Sequence, residues 1–327
     1  MSILSVRDLE VTYTTQAGPL PAVRGVSFDI ETGEVLGLAG ESGCGKSTVV
    51  NAILRLLPAG TVVTGEVLLN GEDVLTMKAG RMRAVRWTAA SVVFQGAMHA
   101  LNPVQRIGDQ LAEAIVLHRL SGEKEALVRV GDLLEKVGLP ARRLKDYPHE
   151  LSGGQKQRVM IAMALACNPS LVIADEPTTA LDVMVQAQVL QLLKSLQRDL
   201  GLAMLFITHD LSVLVEVCDR LAIMYAGKIV EEGPSVPVFE QPAHPYTRAL
   251  ASAFPTIGDQ RFRRSPSGLG GDPPQPDSVP SGCSFHPRCP LAFDACPTTL
   301  PDLYDAGELR RAACLLVAEE ARTPVAP

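Results

Sequence analysis

The sequence predicts an α/β fold that carries a helical insert, and three observations support that expectation. Short apolar runs, LVIAD (171–175) and AMLFIT (203–208), alternate with helical periodicity between residues 159 and 240, which suits a parallel sheet buried on both faces. The stretch from about 100 to 150 is helical instead, as in IGDQLAEAIVLHRL and KEALVRVGDLLEKVGL. GESGCGKST (40–48) places a glycine-rich turn directly between a strand-like run and a helix.

The totals bound the rest. At 327 residues the chain exceeds what one hydrophobic core usually supports, so one large domain plus a smaller appendage is expected. With 46% apolar and 20% charged residues it reads as an ordinary globular protein, and a net charge of −6 gives no support to nucleic-acid binding. The start, MSILSVRDLEV, has no charged region followed by an apolar one, so no signal peptide is expected. The longest apolar runs, such as VMIAMALAC (159–167), are about half the roughly 20 residues a membrane helix needs. The expectation is a cytosolic chain that meets a membrane only through a partner, with thiols kept reduced.

In chain order, residues 1 to about 95 show β-type runs, VTYTT, VSFDI, EVLGLAG, GEVLLN and SVVFQ, interrupted by one helix after Lys46. The helical insert follows. Beyond it, VMIAMALACN and VQAQVLQLLKSLQRDL read as helices, and LVIAD, AMLFIT and LAIMYAG as strands. After PYTRALASAF (245–254) the composition shifts: residues 255–282 hold six prolines and five glycines in 28 positions, a linker-like segment. No internal repeat is evident.

The turn at 40–48 fits G-x-x-x-x-G-K-[ST] with Gly40, Gly45, Lys46 and Ser47, in the strand–loop–helix setting that a phosphate-binding loop requires. Its glycines let backbone N–H groups close on phosphate oxygens, and the helix N-terminus adds a favourable dipole. Lys46 would reach the terminal phosphates and the Ser47 hydroxyl would ligate Mg²⁺. LVIADE (171–176) supplies Asp175 and Glu176 at the carboxyl end of a strand, where α/β sheets place their ligands. Asp175 would hold the Mg²⁺, mostly through water, and Glu176 would orient or polarise an attacking water. Such a pair alone is usually only a helix start; beside a phosphate loop it is informative.

LSGGQ (151–155) reads locally as a capping box, Ser152 as N-cap and Gln155 three residues on. Two glycines in a first helical turn weaken the helix, and they make sense where N–H groups must approach a phosphate closely. With these motifs in this order, the sequence resembles the ATP-binding-cassette (ABC) ATPases over most of its length.

The resemblance implies a P-loop ABC ATPase core, a RecA-like mixed sheet plus an antiparallel β subdomain, with a helical subdomain and a small Cys-rich C-terminal extension. Tyr13 is similar to the aromatic that stacks on adenine. Gly40, Ser42, Gly43, Cys44, Gly45, Lys46, Ser47 and Thr48 match the phosphate loop, and Ser152, Gly153, Gly154 and Gln155 the signature. Asp182 closes a stretch, Ala180–Leu181–Asp182, similar to the dimer loop. Glu176, His209 (the switch histidine) and Gln95 (the glutamine that senses Mg²⁺ and the transmembrane partner) are implied as catalytic, and Ser47, Gln95 and Asp175 as Mg²⁺-binding. Two such domains would enclose two ATP molecules, each between Lys46 of one subunit and the counterpart of Ser152 in the other. The implied division is a nucleotide-binding domain at 1–254 with its helical subdomain at about 97–158, a linker at 255–282 and the extension at 283–327.

DYPHELSGGQ, ADEPTTALDV (174–183), AHPYTRALASAF (243–254) and CSFHPRCP are similar to the ATP-binding subunits of dipeptide and oligopeptide importers, a subfamily that also moves nickel and oligosaccharides. One departure is Gly-Ala-Met after Gln95 in place of the usual Asp-Pro, in the segment that faces the membrane subunit; Ala97, Met98 and Leu101 look exposed there. The resemblance implies two transmembrane permease subunits, a second and paralogous ATPase subunit forming a heterodimer, an extracytoplasmic solute-binding protein acting indirectly, and residence on the cytoplasmic face of the cell membrane. A soluble ATPase of the same superfamily is the alternative, but the long insertions or second cassette of such relatives are missing.

Cys283, Cys289, Cys296 and Cys314 cluster near the end, separated by five, six and seventeen residues. Spacing leaves zinc and an iron–sulfur cluster even: four thiolates suit both, and C-x-x-C knuckles are missing. Relatives of the peptide-importer type carry a [4Fe–4S] cluster on a matching cysteine set, so the resemblance implies that cluster, in a structural role.

Overall fold

The structure, a computed structural model, describes residues 2–94, 100–179, 181–253 and 270–322. Its first elements are β1 (Ser2–Thr15), β2 (Gly18–Glu31), β3 (Val35–Ala39), α1 (Lys46–Ile53), β4 (Val62–Leu69), β5 (Glu72–Asp73), α2 (Ala79–Thr88) and β6 (Ala90–Val93). The helical stretch supplies α3 (Ile107–Leu117) and α4 (Glu123–Lys136). The alternating stretch supplies α5 (Gly153–Leu165), β7 (Leu171–Asp175), α6 (Val183–Leu200), β8 (Ala203–Ile207), α7 (Leu211–Val217), β9 (Arg220–Tyr225) and β10 (Lys228–Pro234). Then follow α8 (Ser235–Glu240), α9 (Pro245–Ala253), β11 (Tyr304–Asp305), β12 (Arg311–Ala312) and α10 (Leu315–Arg322).

Two compact units emerge, each discontinuous in sequence. The insert-bearing unit comprises Met1–Leu4, Asp29–Glu34 and Leu68–Ile207; the phosphate-loop unit comprises Ser5–Phe28, Val35–Val67 and Thr208–Pro327.

In the insert-bearing unit β6, β7 and β8 run parallel, with Ser91 beside Val172 and Ile173 beside Leu205. Every residue of β8 and the first four of β7 are buried, as a strand covered on both faces demands. The helices α3 and α4 bury one stripe each, Leu111 and Ile115 on the first, Val130 and Leu134 on the second, at the four-residue spacing of an amphipathic helix. Asp182 caps α6 by accepting the Val185 N–H at 3.0 Å, and Gly201 ends it in the left-handed conformation.

In the phosphate-loop unit the wholly buried β3 lies parallel to β9, Leu36 beside Arg220 and Ala39 beside Ile223. From there β10, β12 and β11 extend the sheet antiparallel, with an irregularity between Ile229 and Glu231. Thus the cysteine-bearing residues enter the unit's own sheet: the Ala313 N–H donates to the Val230 carbonyl at 2.8 Å, and Ala312, Cys314 and Val317 form a small core with Tyr304 and Leu316.

Three findings differ from the sequence expectations. The first ninety-five residues hold a second helix, α2, besides the one after Lys46; it buries only Met82 and Val85 and breaks at Trp87, whose φ is 75°, so its apolar pattern is too short to show a period. The strands β10, β11 and β12 were not expected, the last two being only two residues long. Leu101 is buried rather than exposed, while Gln95, Ala97 and Met98 lie outside the described residues, as does Ala180.

A candidate nucleotide site

The loop after β3 is closed on itself by its own lysine. Lys46 is 7% exposed, and its ammonium donates to the Gly40 carbonyl at 2.7 Å and the Glu41 carbonyl at 2.9 Å. These carbonyls hold the charge over the loop's mouth, where a phosphate would compete for it. Gly40 has φ +151°, and a Cβ there would stand 2.2 Å from the Met224 carbonyl, so only glycine fits. Gly45 precedes the helix in the left-handed conformation and leaves the first N–H groups of α1 directed into the loop. Ser42, Gly43 and Ser47 are exposed around it, whereas Cys44 is buried and burial pushes its thiol up.

Tyr13 comes from β1, is half-buried, and its hydroxyl shares a hydrogen bond of 3.1 Å with the Thr48 hydroxyl at the start of α1. That bond fixes the ring beside the loop. His209 belongs to the same unit and is exposed on the turn before α7, a turn set by Asp210, whose carboxylate accepts the Ser212 N–H at 2.9 Å.

The strand-end acids belong to the insert-bearing unit. Asp175 ends β7 beside Ile207, and Glu176 follows with φ +45°, a left-handed conformation unusual for a glutamate. Two bonds hold it there: its N–H donates to the Ile207 carbonyl at 2.8 Å, and its carboxylate accepts the Thr179 hydroxyl at 2.8 Å. Thr179 was not singled out from the sequence, since its role shows only once the turn is built.

The signature is a capping box, as expected. Ser152 accepts the Gln155 N–H at 3.4 Å, and Gln155 returns the bond by accepting the Ser152 N–H at 3.0 Å. Its second glycine has a packing reason besides any phosphate: a Cβ on Gly154 would lie 2.6 Å from Cγ1 of Val185 in α6. Gly154 therefore locks the signature helix to the helix capped by Asp182, and Gly153 precedes it as the first residue of α5.

The four tail cysteines are neighbours. The Cys283 N–H donates to the Cys296 carbonyl at 2.9 Å, and the Cys283 thiol is raised chiefly by burial and further by Cys296, Cys314 and Cys289. Burial likewise raises Cys289 and Cys314. Four thiols have the donor chemistry a thiophilic metal takes. Among the described residues, however, no group of three or more His, Cys, Asp or Glu side chains stands in ligating arrangement. The remaining cysteines, Cys167 pushed up to about 11 and Cys218 well above its usual value, are buried thiols of no evident chemistry.

A buried lysine under a glycine loop at a strand end, with a helix N-terminus beyond it, defines a P-loop nucleotide-binding protein. Residues 23–179 match the ABC transporter family, and residues 230–296 match the C-terminal region of oligopeptide/dipeptide transporters. The probable peptide ABC transporter ATP-binding protein y4tR of Sinorhizobium fredii is 46% identical, over 95% of this chain and 94% of its own. The dipeptide transport ATP-binding protein DppD of Bacillus subtilis is 45% identical, over 91% and 90%. The dimeric structure of MJ0796, a bacterial ABC transporter cassette, superposes with a TM-score of 0.63 at 29% identity, covering 71% of this chain and 98% of that one. The chain belongs to the ABC transporter ATP-binding proteins and is an ATPase of that type.

Proposed function

We propose that the chain is the ATP-hydrolysing subunit of an importer for dipeptides or oligopeptides. The observation that carries this reading is the pairing of a closed phosphate loop with a C-terminal region matching the oligopeptide/dipeptide transporters, in one unit. Tyr13 stacks on adenine; the Gly40–Thr48 loop holds the phosphates through Lys46 and the N–H groups of α1. Ser47 and Asp175, with Gln95, hold Mg²⁺, which would neutralise charge developing on the transferred phosphoryl group. Glu176, held by Thr179, orients the attacking water, and His209 completes the catalytic set. Ser152, Gly153, Gly154, Gln155 and Asp182 serve the nucleotide of a second, paralogous ATPase subunit.

No helix among the described residues is long and apolar enough to cross a membrane. In this reading two permease subunits supply the membrane path. We place the chain on the cytoplasmic face, bound to them through the segment that begins at Gln95, with a solute-binding protein acting on the far side. The domain limits follow the sequence: a nucleotide-binding domain at 1–254 with its helical subdomain at about 97–158, then the linker and the cysteine extension. Co-expression with the two permease subunits and the second ATPase subunit should give a complex whose ATP turnover rises with a peptide-loaded binding protein. An ATPase that never co-purifies with membrane subunits would defeat the importer assignment.

Cys283, Cys289, Cys296 and Cys314 are assigned a [4Fe–4S] cluster rather than zinc, as the staple of a tail whose core is small. Protein purified without oxygen should be brown and contain iron and sulfide in stoichiometric amount, lost together when Cys296 is replaced by serine. Colourless protein with one zinc would reject the cluster and keep the staple.

A further inference from the structure

The geometry points to Arg288, in the cysteine segment, as a positioning residue for the phosphate loop: it clamps Glu41 and cancels a carboxylate that would otherwise face the nucleotide's phosphates. This rests on the reading of residues 40–48 as the nucleotide site.

Glu41 is the second residue of the loop, and an acid there is a liability, because the loop's task is to receive a polyanion. The structure holds it from three sides. Its carboxylate accepts a two-pronged bond from the Arg288 guanidinium, at 2.7 and 2.9 Å. Its N–H donates to the Tyr246 hydroxyl at 2.9 Å, and its carbonyl accepts the Lys46 ammonium. The fork fixes direction as well as distance, which a single point contact would not.

Arg288 is itself held. Its side chain is 7% exposed, its Nε donates to the Gly270 carbonyl at 3.0 Å, and its guanidinium lies 5.8 Å from the Tyr225 ring centre and 6.0 Å from that of Phe285. Phe285 in turn meets Tyr225 and Tyr246 edge-on at 5.3 and 5.4 Å. The backbone turn that presents Arg288 is closed at both ends by cysteines. The His286 N–H donates to the Cys283 carbonyl at 2.9 Å, and the Cys289 N–H to the His286 carbonyl at 3.3 Å. Whatever orders Cys283 and Cys289 therefore also sets the clamp on the loop. The tail acts on nucleotide affinity through one ion pair.

The test is a double-substitution cycle on the full chain, reading the dissociation constant of a fluorescent Mg–ADP analogue. Arg288→Ala should weaken binding on the order of tenfold, since it frees the Glu41 carboxylate beside the phosphates. Glu41→Gln with Arg288→Ala should bind within about threefold of Glu41→Gln alone, because no charge is left to cancel. If Arg288→Ala binds within about twofold of the parent chain, or the double variant is as weak as Arg288→Ala, the inference is overturned. Should Arg288→Ala fail to fold by circular dichroism, Arg288→Lys decides: loss of about threefold or more supports the fork, and unchanged affinity refutes it. A parent chain that binds no nucleotide would refute the site assignment itself.

Discussion

Replacing Glu176 by Gln should lower ATP turnover on the order of 10² to 10⁴-fold while nucleotide binding persists. The substitution keeps what the structure shows holding the residue in place. The backbone bond to the Ile207 carbonyl is unaffected, and the amide oxygen still accepts the Thr179 hydroxyl. Only the carboxylate's ability to draw a proton from water is lost, so the nucleotide-bound form should accumulate. Replacing Lys46 by Ala should do the opposite, weakening binding on the order of 10 to 100-fold, the worth of a lost charge-assisted bond. Single-turnover hydrolysis and equilibrium binding of the same two variants separate the effects. Near-parental turnover in Glu176→Gln would remove that residue from its role.

Acid should destabilise the chain by about 3 kcal/mol through one imidazole, His244. The ring is 1% exposed, its Nδ1 accepts the Tyr246 N–H at 3.0 Å, and burial, opposed by the Ala313 backbone, lowers its pKa to about 4. An unfolded histidine takes up its proton near pH 6.5. Between about 6.5 and 4 the unfolded chain thus binds more protons than the folded one, and stability falls as pH falls through that window. Glu231 works the other way, because burial raises its pKa and protonation relieves that cost in acid. His244→Asn, whose side-chain oxygen keeps an acceptor for Tyr246, should flatten the difference in urea stability between the two ends of the window. A variant with the same acid slope as the parent would acquit His244.

Where chemistry is local in sequence, the residues could be read directly. The glycine-rich turn after a strand and the capping box of Ser152 and Gln155 are patterns of a few consecutive residues, and the capping box forms as its spacing implied. Parallel strands were legible for the same reason, since AMLFI and the first four residues of LVIAD are buried side chain after side chain. Pairing across long separations left no such trace. Glu41 meets Arg288 across 247 positions, and nothing in either neighbourhood names the other. The demand for glycine at 154 comes from Val185 on another helix, so the sequence reading credited it wholly to phosphate. The short strands β11 and β12 and the helix α2 exist through what they pack on rather than through any period of their own.

The discontinuity of the phosphate-loop unit bears on how the chain must be made. Within its own unit the strand VLGLA that leads into the loop finds its parallel neighbour at Arg220–Tyr225, and the clamp on Glu41 arrives with Arg288. During synthesis at the usual pace, the interval between emergence of β3 and of β9 is on the order of ten to forty seconds. Through that interval five consecutive residues that end fully buried stand without that neighbour. A ribosome stalled anywhere before residue 220 would display an apolar strand and no finished nucleotide site, and a lesion at the far end of the gene would be felt at its beginning.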